Sequence, residues 1–511
     1  MTTAQIQNQK TQSQQAEIRT AERLTLTPKV HATIKKFIDE KKTLFELVKA
    51  LGSPLNVIFP ELVGENVDKF QKAFSEAGVI GKVFFAHKCN QSDSLVRRLA
   101  VENAFLDVSS TQELRHALGA GFESARIEAT GPKNVEFLGL AIQQGIIIAV
   151  DSLFELETIV KLKASLKHQK PTRLLLRLSG FEATHSKFLN KGSRFGIPIK
   201  EIEKAFDILE KNRKTLDFLG FSFHLDTVSV LERAVAMENC MELFDEALAR
   251  DFEPRVINIG GGYKVNYLEN EDEWNRYTSA LKEAVLGTRP SMTWHGNAFG
   301  MSSDKGKLKG NFNSYSYFDT QTGGSFLNEL LSQRFPNLGD ATAKSIMQGN
   351  MIELWIQPGR SLVDQTGITV ARVNSVRMSS RGEPIVCLNM KRQDISFLDQ
   401  EIFVDPIIIE KEGTTTSAPQ AEANSELIGV YFAGNLCLES DLVYRHMTYI
   451  AKLPNPGDLV VFVNSAGYFM DFSASTSIMQ PVAKKVAVME RNGEFTWMLD
   501  ENYVPYWECL P

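Results

Sequence analysis

The chain has 511 residues, 43% of them hydrophobic and 23% charged, with a formal net charge of -6. These are the proportions of a soluble globular protein of about two domains, and the lack of a basic excess argues against nucleic acid or a membrane surface as partner. The five cysteines (Cys89, Cys240, Cys387, Cys437, Cys509) form no CxxC pair, so the sequence offers neither a disulfide framework nor a structural zinc site, and it reads as a cytoplasmic protein.

Residues 1–25 are rich in Gln, Thr and Ser without an apolar segment, and read as a disordered tail. Residues 27 to 82 read as helices around one extended piece, Leu55 to Phe59. A rhythm then begins. Short apolar runs recur at 83–86, 104–108, 126–129, 146–150, 173–178, 221–225, 256–259 and 351–356, with helical stretches between them. Strands alternating with helices imply parallel βαβ units, and eight of them close a (β/α)8 barrel. The barrel is therefore expected over 26–360. Its seventh interval is too long for one helix, so an insertion is placed at about 264–350. That segment holds the aromatic piece from Trp294 to Gly300, and its place on the catalytic side suggests a lid or a substrate-shaping insertion, with a plain surface elaboration as the equal alternative. From 361 to 511 the texture becomes Val- and Ile-rich, which predicts an all-β domain, barrel- or sandwich-like, to which part of 26–55 can add. Lys411 to Glu426 reads as a flexible loop, and no run is long enough to span a membrane.

The barrel reading makes a demand on the carboxyl ends of the strands, where such barrels place their chemistry. Those ends carry Lys88, Asp107, Glu128 with Thr130, Asp151, Arg177, His224, Gly260 to Gly262, and Gln357 through Arg360. A single strand-end lysine is ordinary; eight polar or glycine ends in series describe a site. A lysine amine can attack carbonyls, consecutive glycines let backbone N–H groups approach a phosphate, and an arginine fork suits the same anion. Together they point to pyridoxal 5'-phosphate, held by its phosphate and by a Schiff base to Lys88. No metal site is expected.

The chain resembles the fold-type III pyridoxal-phosphate decarboxylases, the group of ornithine, diaminopimelate and arginine decarboxylases. The resemblance is carried in order by FFAHKCN (84–90), LDVSSTQEL (106–114), ATGPKN (129–134), AVDSLFEL (149–156), RLLLRLSG (173–180), SRFGIP (193–198), FSFHLDT (221–227), NIGGGY (258–263), QPGR (357–360), GNLCLESD (434–441) and NSAGYF (464–469). It implies that Lys88 carries the cofactor, that His224 stacks on its ring and that Arg177 lies near the phenolic oxygen. Asp107 falls among the cofactor-binding positions; Gly260, Gly261, Gly262, Arg360, Thr227 and Tyr468 would hold the phosphate. Cys437 would reach across a homodimer interface and return a proton after CO2 leaves, as a thiol with a pKa near about 8.5 can.

Two positions depart from the family. Gln357 stands where the family has a glutamate that pairs with the pyridine nitrogen; an amide can bond there but adds no charge. Leu438 stands where the family has an acid that recognises the substrate's distal amine, leaving Glu439, Asp441 and Asp405 as substitutes. The expected function is decarboxylation of an α-amino acid or an amino-acid conjugate by a homodimer with its active sites at the interface. A racemase or epimerase on the same scaffold is the alternative, and a catalytically silent regulatory homologue is a more distant one.

Overall fold

The computed structural model describes residues 23–166, 170–181, 192–412 and 427–505; the N-terminal tail up to residue 22 and most of the 411–426 loop, both expected from the sequence, lie outside the described residues. The chain divides into two compact units. One comprises Phe59–Val265, Gln321–Thr366 and Trp497–Pro511; the other comprises Met1–Ile58, Asn266–Thr320 and Gly367–Thr496.

The first unit is a closed ring of eight parallel strands: β1 Gly81–Ala86, β2 Phe105–Val108, β3 Ile127–Ala129, β4 Ile147–Val150, β5 Thr172–Ser179, β6 Leu216–Ser222, β7 Val256–Asn258 and β8 Glu353–Ile356. Around the ring the order is β4-β3-β2-β1-β8-β7-β6-β5, and β4 pairs with β5 to close it. Closure buries both faces of every strand, which explains the uninterrupted apolar runs. Phe84, Ile147, Leu175, Leu219, Val256 and Trp355 form one buried cluster with a residue from each of six strands. Helices fill the intervals, and local chemistry sets where they start. Ser110 accepts the N–H of Glu113 at 3.1 Å to open Thr111–Gly119, and Asn134 accepts that of Phe137 at 2.8 Å to open Val135–Gln144. All eight expected strands are present. The sixth spans Leu216–Ser222 and ends earlier than its apolar run of 221–225, because Phe223 and Leu225 continue that run beyond the ladder into the connecting segment.

The second unit is mostly sheet. Leu55–Ile58 runs antiparallel to Gly367–Met378 and parallel to Lys484–Arg491. Gly367–Met378 also pairs with Pro384–Leu388 and with Leu459–Val463, and the latter with Ile407–Ile409. The sequence reading gave 26–360 to the barrel with an insertion at about 264–350 and allowed part of 26–55 to join the β domain; the contacts group residues up to Ile58, and Asn266–Thr320, with this unit. The aromatic part of the long interval is a packing element here. Trp274, Tyr277, Phe299, Phe312 and Tyr317 all lie 5.1–5.7 Å, ring centre to ring centre, from Phe403. These rings build a core within this unit. The remainder of the interval returns to the barrel unit, where Gly323–Leu331 packs on Leu62–Ala77.

Candidate active site

Each barrel strand delivers its last side chains to one rim. β1 stops at Ala86, whose N–H is bonded to the carbonyl of Pro358 at 3.2 Å, so the turn carrying Lys88 and the segment Gln357 to Arg360 lie side by side. Lys88 is exposed between buried His87 and Cys89. Its charge faces Asp107, Glu113 and His224. Asp107, at the end of β2, takes a hydrogen bond from Thr130 and is nearly enclosed; burial pushes its carboxyl up to about 6, against the pull of Lys88. Arg177, at the end of β5, is ion-paired to Asp151 at 2.9 Å and lies over the ring of Phe195 at 4.7 Å. Behind that pair, fully buried Lys133 bonds to Glu155 at 2.9 Å and to the carbonyl of Ala149 at 2.7 Å, which fixes the ATGPKN turn.

The glycine loop after β7 is clamped on all sides. Gly260 donates its N–H to Asn258 Oδ1 at 3.0 Å and its carbonyl accepts from Gln357 at 2.9 Å, while Gly261 donates its N–H to His224 Nδ1 at 3.1 Å. A side chain has no room here: a Cβ on Gly261 would stand 2.4 Å from the Gln357 carbonyl oxygen, and one on Gly262, at φ 99°, 2.8 Å from Arg233. Arg233, wholly buried in the helix Val230–Ala249, donates to the carbonyls of Ile259 at 2.6 Å and Thr227 at 3.2 Å and so joins the loop to that helix. The His224 pKa is lowered by the crowding of protein around it and by three cations, Lys88, Arg233 and Arg177. His224 still reaches solvent on one side, while the three cations repel a proton from its ring.

Below the rim the barrel lumen holds Glu128, which the sequence reading placed among the strand ends without its partners. Glu128 is completely buried and its Oε2 accepts from Gln357 Nε2 at 3.0 Å and from Asn258 Nδ2 at 2.7 Å. Burial first, and the nearby Asp107 second, push its carboxyl up to about 8. The sequence reading named Glu128, with Thr130, only as one of the polar strand ends. Nothing in sequence marked Asn258, Arg233 or Lys133 for the parts they play, beyond their positions in or near quoted motifs.

The remaining candidates belong to the second unit. Cys437, Leu438 and Glu439 are exposed on one loop. Asp441 is buried and its two oxygens accept the backbone N–H groups of Arg392 and Leu436, both at 2.8 Å, so it clamps the loop and is not open to a substrate ammonium. Asp405 accepts the N–H of Leu26 at 2.7 Å and is likewise enclosed, which pushes its carboxyl up to about 6. The Tyr468 ring stacks on Phe397 at 4.7 Å. Among the described residues no group of three or more His, Cys, Asp or Glu could hold a metal ion, and no helix is long and apolar enough to cross a membrane.

The barrel rim therefore presents a lysine amine, a clamped glycine loop, an arginine and a neutral histidine to one small anionic carbonyl ligand. Buried, unpartnered Oε1 of Glu128 and Oγ of Ser222 and Ser361 leave polar groups for such a ligand to satisfy. That is the donor set of a pyridoxal-phosphate barrel. Residues 61–293 match the family described as pyridoxal-dependent decarboxylase, pyridoxal binding domain. Among curated proteins, the chain is 28% identical over 451 residues to the uncharacterized protein y4yA of Sinorhizobium fredii and 26% identical over 473 residues to a diaminopimelate decarboxylase of Bacillus methanolicus, each match covering 88% of this chain and 90% of the relative. Among solved structures, a diaminopimelate decarboxylase of M. jannaschii in complex with L-lysine superposes with a TM-score of 0.64 at 18% identity, covering 89% of this chain and 91% of that one. The arginine decarboxylase of Paramecium bursaria Chlorella virus bound to agmatine gives 0.59 at 18% identity, with 86% and 97% covered. Residues 61–293 therefore carry the pyridoxal-binding domain of the pyridoxal-dependent decarboxylases, whose cofactor is pyridoxal 5'-phosphate, and the chain has the fold of these decarboxylases.

Proposed function

We propose that the protein decarboxylates an α-amino acid or an amino-acid conjugate, with Lys88 as the covalent anchor of the cofactor and Cys437 as the proton donor. The observation that carries this reading is the arrival of Lys88, Asp107, Arg177, His224, the glycine loop, Gln357 and Arg360 at one end of a closed barrel. When bound, pyridoxal phosphate supplies a sink for the electron pair that stays on the α-carbon as CO2 departs. The chain's own residues do the rest. The exposed Lys88 amine is free to form and exchange the covalent link. Neutral His224 offers a flat apolar face without adding positive charge. The loop Gly260 to Gly262, with Thr227, Arg360 and Tyr468, takes the phosphate. Cys437, contributed by the partner of a homodimer, returns one proton to the α-carbon.

On the substrate side, Leu438 cannot pair with an ammonium, and the Asp441 carboxylate is held by backbone. Glu439 remains as the exposed carboxylate of that loop. The protein is therefore proposed to turn over ornithine and diaminopimelate poorly and to favour a substrate whose far end is not a simple amine. The test is CO2 release from a panel of amino acids and their conjugates, with Lys88→Ala as the inactive control. A substrate that instead exchanges its α-hydrogen for deuterium without losing CO2 would support the racemase reading, which the uncharged Gln357 favours. Rapid turnover of diaminopimelate would contradict the substrate assignment.

A further inference from the structure

Glu128 sits in the middle of β3, yet its carboxyl bonds to Asn258 on β7. Three strands separate β3 from β7 in either direction around the ring, so the side chain crosses the barrel lumen. Both of its donors, Gln357 Nε2 and Asn258 Nδ2, arrive at Oε2, and Oε1 has no partner among the described residues although the carboxyl is wholly buried. An ionised carboxyl accepts from an N–H, so toward the Glu128 carboxylate the Gln357 amide turns its nitrogen. Its NH2 group faces Glu128, and its carbonyl oxygen points the other way, as an acceptor. An amide held in this way is polarised by the acid behind it.

We propose that Glu128 is the acidic partner that position 357 lacks: acting through the Gln357 amide, it holds a proton on the ring nitrogen of bound pyridoxal phosphate. The inference rests on the reading of the rim as a pyridoxal-phosphate site. It assigns to Glu128 the part of a positioning residue, one hydrogen bond removed from the cofactor. The coupling runs in both directions. A protonated ring nitrogen beyond Gln357 favours the Glu128 carboxylate, and the carboxylate in turn favours the proton on the ring. The arrangement also accounts for an amide at position 357. A glutamate there would face Glu128 across a hydrogen-bond distance, and two carboxyls that close cannot both ionise in a buried lumen that already holds Asp107.

The experiment titrates the cofactor-free, full-length protein with pyridoxal 5'-phosphate and with its 1-deaza analogue, in which carbon replaces the ring nitrogen. Binding is followed by quenching of tryptophan fluorescence. Glu128→Gln is expected to weaken pyridoxal phosphate by roughly tenfold or more, the scale of one charge-assisted hydrogen bond, and to leave the analogue unchanged. The exchanged pair Glu128→Gln with Gln357→Glu is expected to restore the preference for the nitrogen-containing ring by placing the acid at position 357, whereas a merely structural role for Glu128 would weaken both ligands alike in the single variant. Equal loss for both ligands, no loss for either, or no recovery in the exchanged pair overturns the inference. Failure of the unaltered protein to bind either ligand would instead overturn the pyridoxal-phosphate reading on which the inference depends.

Discussion

Gly261 gives its backbone N–H to Nδ1 of His224 at 3.1 Å, so this ring nitrogen carries a lone pair and any proton on the neutral imidazole is on Nε2. Crowding and the three cations around the ring keep it neutral. The expected outcome is that His224 shows no titration between pH 5 and pH 8 in the cofactor-free protein. Histidine C–H shifts followed by NMR, with His224→Asn to assign the signal, check this. An inflection near the ordinary value of about 6.5 would show that the ring takes up a proton despite the cations around it.

Arg233 ties the glycine loop to its helix through two carbonyls, and its guanidinium lies 5.5 Å from the ring of Tyr263 and 5.7 Å from that of Phe326. Arg233→Met keeps much of the apolar stem but leaves the Ile259 and Thr227 carbonyls without their donor. A loss of about 2–4 kcal/mol in unfolding free energy is expected, read from urea denaturation. Pyridoxal-phosphate affinity should fall in the same variant, because the loop loses its clamp. Unchanged stability would show that the loop is held by its other bonds alone.

The barrel was legible because closure buries each strand on both faces, and such strands stand out as apolar runs whatever the helices between them do. The rim was legible for a related reason: polar residues at the ends of eight such runs have no structural need to recur. What stayed hidden depends on contacts between distant parts of the chain. Glu128 and Asn258 are 130 residues apart and meet only because the ring closes, so no local pattern announces them. The role of the aromatic interval was hidden too. Trp294 to Gly300 has the composition of a binding loop, but Phe299 is drawn into the core around Phe403 and Trp294 packs edge-on against Tyr431. Asp441 shows the converse case. It looked like a substrate carboxylate by position, and only the two N–H groups aimed at it reveal a loop clamp.

The lumen carboxyls make stability depend on pH. Asp107 is raised from 3.8 to about 6 and Glu128 from 4.5 to about 8, burial being the main cause for both. Between its unfolded and folded values each group holds more proton in the folded state, so its contribution to stability declines as pH rises. For Glu128 that contribution is fully present below about 4.5 and is lost by about 8. His224 and His116, whose pKa values are lowered, tilt the other way below their ordinary value near about 6.5. The clean window is therefore pH 6.5 to 8. There the melting temperature of the cofactor-free protein should fall with pH, and Glu128→Gln should flatten the slope. Identical slopes in the two proteins would mean that Glu128 is already ionised in the fold.

The loop from Gly434 to Asp441 separates two kinds of carboxylate, and variants should separate them as well. Asp441→Ala leaves the buried N–H groups of Arg392 and Leu436 without acceptors, at a cost of about 1–3 kcal/mol each if neither finds another. The expected result is a lower urea midpoint with substrate preference retained in whatever fraction remains folded. Glu439→Gln removes an exposed charge and no bond that holds the loop, so stability should stay within about 0.5 kcal/mol. If Glu439 meets the far end of the substrate, the same change should raise KM for cationic substrates and leave kcat for uncharged ones as it was. Leu438→Asp is the complementary change, since it restores an acid next to Cys437. Turnover of diaminopimelate or ornithine should then rise relative to the native substrate. An unchanged ratio would mean that discrimination against these amines resides elsewhere than in this loop.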